Sequence, residues 1–226
     1  MQRIVEIAKV VDNQDPLGFG RIKVKLQSFA VQPEIWLRMT TFYANASTGV
    51  VFFPEIGDEM LVLRGAEDDP NRMFIIGALY NGDHKPAYDN ADGENITKQM
   101  VTRSGNRMVY SDKSGEEGIL LETQAGTRIR MSDKSDKLGL DIESSDGTIR
   151  ISLDKNGGSV TVANQKGMTI VSDGDAILES KNGNVTVKGA ANVTLEAGAH
   201  LEVKGGAQVT VSAPIVELSG SMVRIN

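Results

Sequence analysis

From Val160 onward the chain places apolar residues in doublets two positions apart, which puts both side chains of a doublet on one face of a short strand. The doublets are Val160/Val162, Met168/Ile170, Ala176/Leu178, Val185/Val187, Val193/Leu195, Leu201/Val203, Val209/Val211, Val216/Leu218 and Val223/Ile225. Their first members are separated by 8, 8, 9, 8, 8, 8, 7 and 7 residues. Turn residues lie between them, such as Asn156-Gly157-Gly158, Asp173-Gly174, Asn182-Gly183 and Gly205-Gly206. Looser forerunners stand at Ile119/Leu121, Ile129/Met131, Leu140/Ile142 and Ile149/Ile151. A period near eight leaves about five residues of strand and three of turn, so each strand offers two inward side chains. One chain cannot enclose a core with such short edges unless it follows a strict hexapeptide solenoid, and that period is absent. Three intertwined chains can do so, each laying one strand on one face of a narrow prism. Nine layers at about 4.8 Å make a shaft of roughly 45 Å. The doublets are therefore the predicted trimer core.

The first part of the chain follows another pattern. Ile22, Val24 and Leu26 alternate with Arg21, Lys23, Lys25 and Gln27, as in a half-buried strand. Further strands are expected at Trp36–Met39, Val50–Phe53, Met60–Leu63 and Phe74–Ile76, separated by turns at Ile56-Gly57-Asp58 and Asp69-Pro70. Five short strands without an amphipathic helix suggest a small closed barrel of the OB type.

Composition divides the chain at the same place. Of the eleven aromatic residues, all but Tyr110 lie between Phe19 and Tyr88, whereas sixteen of the 24 glycines lie from Gly105 onward. The predicted organisation is all-β: an OB-fold barrel over residues 1–82, a turn-rich linker over 83–97, and a triple-stranded β-helix over 98–226 in a homotrimer.

Charge and chemistry narrow the function classes. A formal net charge of −6 argues against a nucleic-acid backbone or an anionic lipid surface as main partner. The absence of cysteine rules out disulfides, thiolate metal sites and cysteine nucleophiles in this chain. No stretch has the apolar length of a signal peptide core or a membrane span. The neighbouring carboxylates Asp68/Asp69, Glu116/Glu117 and Asp173/Asp175 could in principle serve glycan cleavage, but all occupy polar turns, where carboxylates are common for structural reasons. His84 in the linker and outward-pointing His200 read as surface residues. No catalytic residue, metal site or cofactor is expected. Arg21, Lys23 and Lys25 form a basic row on one barrel strand, which reads as an oligonucleotide face of the OB type, disfavoured by the acidic total, or as a solvated or docking face; Trp36 reads as core or as part of that docking face.

Several stretches carry a family resemblance: VVDNQDPLGFGRIKVKL, GVVFFPEIGDEMLVL and DDPNRMFIIGALYNGDHKPAY in the first part, then SGNRMVYSDKSGEEGILLET and TRIRMSD at the entry to the repeats. The chain resembles the central spike proteins of contractile injection machines, namely phage tail spikes and the VgrG proteins of type VI secretion. The resemblance implies an OB-fold domain joined to a triple-stranded β-helix and a hub protein at the N-terminal end, for which Trp36, Arg21, Lys23 and Lys25 are the candidate contacts by their strand positions. It also implies a PAAR-type protein at the narrow tip, and passage through a target envelope when a sheath contracts. Hub domains like those ahead of the VgrG barrel would sit on a separate polypeptide or in a longer protein. Such a spike would assemble in the cytoplasm within a phage-tail-like particle and be delivered outside the cell or into the target. The alternative from another class is a trimeric β-helical fibre that binds or cleaves glycans; a lateral groove lined by aromatics and carboxylates would distinguish it.

Overall fold

The computed structural model describes residues 5–28, 30–65, 69–136 and 138–224. It divides into two compact units, one up to Met168 and one from Thr169 onward.

The first unit begins with a closed five-stranded barrel. Its strands are β1 (Val5–Asp12), β2 (Ile22–Leu26), β3 (Glu34–Met39), β6 (Glu59–Leu63) and β7 (Phe74–Leu79). The order around the barrel is β1-β2-β3-β7-β6, and β6 pairs with β1 to close it. Only the β3–β7 pair among these is parallel. Period-two alternation fills the interior: Ile22, Val24 and Leu26 from β2, Met60 and Val62 from β6, Ala8 and Val10 from β1, with Leu37, Met73 and Ile75. Irregular register between Val10 and Asp12 and between Leu61 and Val62 marks bulges, which bend strands as barrel closure demands.

Two strand assignments change. Val50–Phe53 is not a barrel strand; its side chains from Val51 to Phe53 are exposed. The fifth strand is β1, whose inward row is Glu6, Ala8 and Val10. A charged residue and an alanine in that row hide the apolar alternation, because Glu6 is buried by pairing with Arg64 rather than by being apolar. Between β3 and β6 the chain forms a small hairpin of β4 (Ala44–Asn45) and β5 (Thr48–Gly49).

The same unit continues into a seven-stranded antiparallel sheet: β8 (Thr97–Val101), β9 (Arg107–Ser111), β10 (Gly118–Glu122), β11 (Arg128–Ser132), β12 (Gly139–Glu143), β13 (Ile149–Asp154) and β14 (Ser159–Asn164). Every strand pairs with its neighbour in the chain. This stretch is therefore a meander within one chain, unlike the continuous winding expected over 98–226. Its tight turns decide this. Gly105 and Gly126 adopt φ of 87° and 93°, and their N–H groups bond the carbonyls of Thr102 and Thr123 at 2.8 Å, which folds each strand straight back on the one before.

The second unit has no strand ladder among its described residues. The doublet residues expected to line a core are therefore not buried within one chain. Ile170, Leu178, Val187 and Leu218 are each at least 68% exposed, because no strand of the same chain lies across them. The conformation nevertheless repeats with the octads. Val193, Leu201 and Val209 are 53%, 55% and 54% exposed, and their doublet partners Leu195, Val203 and Val211 are 71%, 67% and 73% exposed. The corners repeat too: a side chain at Gly189 would collide with the Asn192 carbonyl and Val193, and one at Gly205 with the Gln208 carbonyl and Val209.

Candidate functional site: an uncovered apolar face and a barrel patch

Cross-strand register in the meander brings the apolar doublets opposite one another. Met108 and Tyr110 face Leu121 and Ile119; Ile119 and Leu121 face Met131 and Ile129; these face Leu140 and Ile142, then Leu153 and Ile151, then Val160 and Val162. The result is one apolar face running across β9 to β14.

The opposite face carries most of the sheet's charged side chains, and three of its arginines pair with carboxylates of the same chain. Arg107 and Arg128 stand opposite Glu122, and Arg128 and Arg150 opposite Glu143. Arg107 pairs with Glu122, Arg128 with Glu143 at 2.6 Å, and Arg150 with Asp141 at 2.8 Å. A charged ladder is at home in water, whereas a continuous apolar sheet face of this extent marks an interaction surface. Among the described residues much of it stays uncovered: Tyr110, Met131 and Leu153 are each at least 40% exposed. The predicted core residues Val160 and Val162 lie on this face and are themselves exposed.

Beyond β14 every described residue of the predicted core is open to solvent in the single chain. Met168 and Ile170 are exposed, as are Leu178, Val185, Val187, Val193, Leu195, Leu201, Val203, Val209, Val211, Val216, Leu218 and Val223. The first member of each doublet from Val185/Val187 to Val216/Leu218 is less exposed than the second. The flanking Ile177 and Ile215 are exposed too. Ile225 lies outside the described residues. Burial of these side chains requires surface that the single chain does not supply.

The barrel patch is built around Asp15. Its carboxylate accepts N–H bonds from Leu17, Phe19 and Arg21 at 3.0–3.1 Å and two bonds from the Arg21 guanidinium at 3.1 and 2.7 Å. The guanidinium lies 5.7 Å from the Phe19 ring centroid and 5.8 Å from that of Trp36, within cation–π range. Lys23 stands opposite Trp36 in register and pairs with Glu34 at 3.3 Å; Lys25 stands opposite Glu34. The structure thus gathers Arg21, Lys23, Lys25 and Trp36 on the outer side of β2 and β3, but Arg21 and Lys23 are answered by carboxylates of the same chain. That leaves a preorganised patch with exposed Phe19 and Leu17 beside it.

The Arg21 guanidinium bonded to Asp15, with the backbone N–H groups, holds the Asp15 carboxyl well below the usual carboxylate range. A depressed folded value means that its stabilisation is complete above the unfolded value near 3.8 and fades only as pH falls through the folded one. Amide protection at Leu17, Phe19 and Arg21 should therefore stay constant from about pH 6 to about pH 4 and weaken only below that. Arg21→Ala should bring the loss up toward about pH 4. Hydrogen exchange read residue by residue checks both, and loosening of the wild-type loop already at about pH 5 would contradict the assignment.

The remaining candidates do not converge. Glu116 pairs with Lys113 at 3.1 Å, and Asp69 accepts the Asn71 N–H at 2.9 Å in a turn; Asp68 lies outside the described residues. Asp173 and Asp175 are exposed, as is His200, and His84 lies 3.4 Å from Asp58. Among the described residues no three His, Asp or Glu side chains gather as a metal site would require.

Sequence reading missed a group of exposed aromatics. Phe42, Tyr43, Phe52 and Phe53 project from the segment around β4 and β5, and each is more than half exposed. Two signals were available. The chain carries no charged residue from Met39 to Pro54, and it has four aromatics there.

Comparison with known proteins bears on the barrel first. Residues 6–80 match the family model of the type VI secretion system/phage-baseplate injector OB domain. The chain is 28% identical over 116 residues to the type VI secretion system spike protein VgrG1c of Pseudomonas aeruginosa, a match covering 46% of this chain and 16% of that protein. It is 29% identical over 115 residues to the type VI secretion system spike protein VgrG3 of Vibrio cholerae, covering 46% of this chain and 11% of that protein. It is also 29% identical over 115 residues to the actin cross-linking toxin VgrG1 of Vibrio cholerae, covering 45% and 10%. The aligned part thus spans less than a fifth of each relative, and by sequence the chain is similar to VgrG-like spikes of contractile injection systems.

Proposed function

We propose that three copies of this chain form a puncturing spike of a contractile injection apparatus, which transmits axial force and carries out no reaction. The observation that carries this reading is the regular series of uncovered apolar doublets from Val160 to Val223, which beyond β14 have no ladder partner among the described residues of their own chain. Unpaired backbone and exposed aliphatic rows are costly in water, and other copies of the same repeat are the partner whose spacing matches. In that assembly each octad adds its strand to those of two neighbours. The two side chains of each doublet then close a narrow interior, and the doublet residues from Val160 to Ile225 form the core.

The match of the barrel to an injector OB domain supports placement at the apparatus tip. The patch of Trp36, Arg21, Lys23 and Lys25 is the proposed contact with a hub protein, and the C-terminal end is the proposed seat of a PAAR-type tip protein. Assembly takes place in the cytoplasm, and sheath contraction delivers the spike through a target envelope. Stiffness is the functional property, since short glycine corners such as Gly189 and Gly205 leave little loop to bend.

The test is solution mass. The 24.3 kDa chain at low micromolar concentration should sediment as three copies. A folded monomer with native strand content would reject the reading.

A further inference from the structure

We propose that the uncharged aromatic hairpin over residues 39–54 of one copy seats on the apolar sheet face of a second copy of this chain, clasping neighbouring subunits where barrel meets sheet. The inference rests on the self-association argued above and names a surface for it.

The hairpin is a built element. Within it β4 pairs with β5, the Val50 N–H donates to the Tyr43 carbonyl at 3.0 Å, and the Thr41 hydroxyl donates to the Val50 carbonyl at 2.6 Å. Gly49 is required where a side chain would come within 2.7 Å of the Tyr43 oxygen. What this ordered hairpin presents is apolar: Phe42 is almost wholly exposed, and Tyr43 and Val51 are also exposed. A rigid hairpin with such a ring in water has the composition of an interface core, aromatic and without charge.

Its base is tied to the sheet. Glu55, directly after the hairpin, accepts a bond from Arg103 at 2.9 Å, and Arg103 belongs to the turn between β8 and β9. Phe52 reaches the sheet and lines one end of a groove of about 480 Å³ with Met100, Met108, Leu121, Ile129 and Ile142. Hairpin and groove are thus two continuous parts of one apolar surface. Phe52 lines this groove yet stays more than half exposed, and Phe42 beside it is almost wholly so. A second copy supplies the matching part, and cyclic symmetry makes every hairpin and every groove equivalent. A lipid partner fits less well: the hairpin has no Lys or Arg to meet headgroups, and the chain carries a net charge of −6.

The experiment places the photoreactive residue p-benzoylphenylalanine at position 42 of the full chain, in an equal mixture of ¹⁵N-labelled and unlabelled copies refolded together. Irradiation should yield a covalent product of twice the 24.3 kDa chain mass, with mixed-isotope peptides joining position 42 to residues 97–143. Adducts confined to one chain, adducts on added anionic vesicles, or no adduct at all overturn the proposal. Solution mass on the same sample separates the two levels of failure. A trimer without intercopy adducts removes only the hairpin assignment, whereas a monomer removes the assembly beneath it. As a second variant, Phe42→Ser should raise the dissociation constant of the assembly at least about tenfold while Trp36 emission shows a folded barrel; an unchanged constant overturns the proposal.

Discussion

Val193→Asp should abolish assembly while leaving the barrel folded. Val193 opens the fifth octad doublet and in the single chain is exposed. In a shared interior the substitution would gather three carboxylates around one axis, out of reach of water and of any Lys or Arg. Removing each carboxylate from water without a partner costs several kcal/mol, and like charges at such separation add to it. A single substitution repeated by symmetry is then enough to reverse association. Lys188→Asp, one position beyond the Val185/Val187 doublet, puts the same charge on the outside and should leave the assembly intact. Solution mass reads the outcome, and Trp36 emission verifies the barrel, because the single tryptophan lies on β3. Equal effects of the two substitutions would contradict the inward and outward assignment.

The second large effect is expected inside the barrel. Glu6 on β1 and Arg64 just beyond β6 are 3% and 8% exposed and form an ion pair next to the strand pairing that closes the barrel. Breaking a buried ion pair by removing one member typically costs about 3–5 kcal/mol. Glu6→Ala should therefore lower barrel stability by about that amount in urea unfolding followed through Trp36, with the slope unchanged. Lys23→Ala is the control. It breaks the Lys23–Glu34 pair, whose side chains are 32% and 48% exposed, and such half-solvated pairs contribute no more than about 1 kcal/mol. Similar losses from both substitutions would show that burial does not set the strength of the Glu6–Arg64 pair.

These two positions also show how far the sequence could be read. Spacing alone assigns Val193 an inward role, since a doublet every eight residues stands out against a background of Thr, Gly and Asn, and in the single chain it is exposed. Spacing gave Ile170, Leu178, Val187 and Leu218 the same inward role, and in the single chain they are exposed, since a period of eight says which side chains belong together and leaves open which chain covers them. Glu6 was not placed. A carboxylate at an inward position looks like the solvent side of a strand until its partner, 58 residues away along the chain, is known. The same blindness moved the fifth barrel strand to Val50–Phe53. Those residues are apolar enough for a core strand, yet β1 occupies the ladder and they are displaced to the surface. For Arg21, Lys23, Lys25 and Trp36, strand periodicity was sufficient to put them on one side. It could not show that Asp15 and Glu34 already answer two of the charges, because loop closure from Asp15 to Arg21 depends on three backbone N–H bonds to a single carboxylate.

Local pattern decided the all-β class, the inward rows of β2 and β6, and the octad repeat, since each follows from which side of a strand a residue faces within a few positions. Tertiary structure decided which strands close the barrel, that the residues from Thr97 to Asn164 pair as a meander, and that one face of that sheet carries Arg–carboxylate pairs while the other is apolar and open. Such features depend on register between strands, and register is set by turn geometry and by partners far apart in the chain.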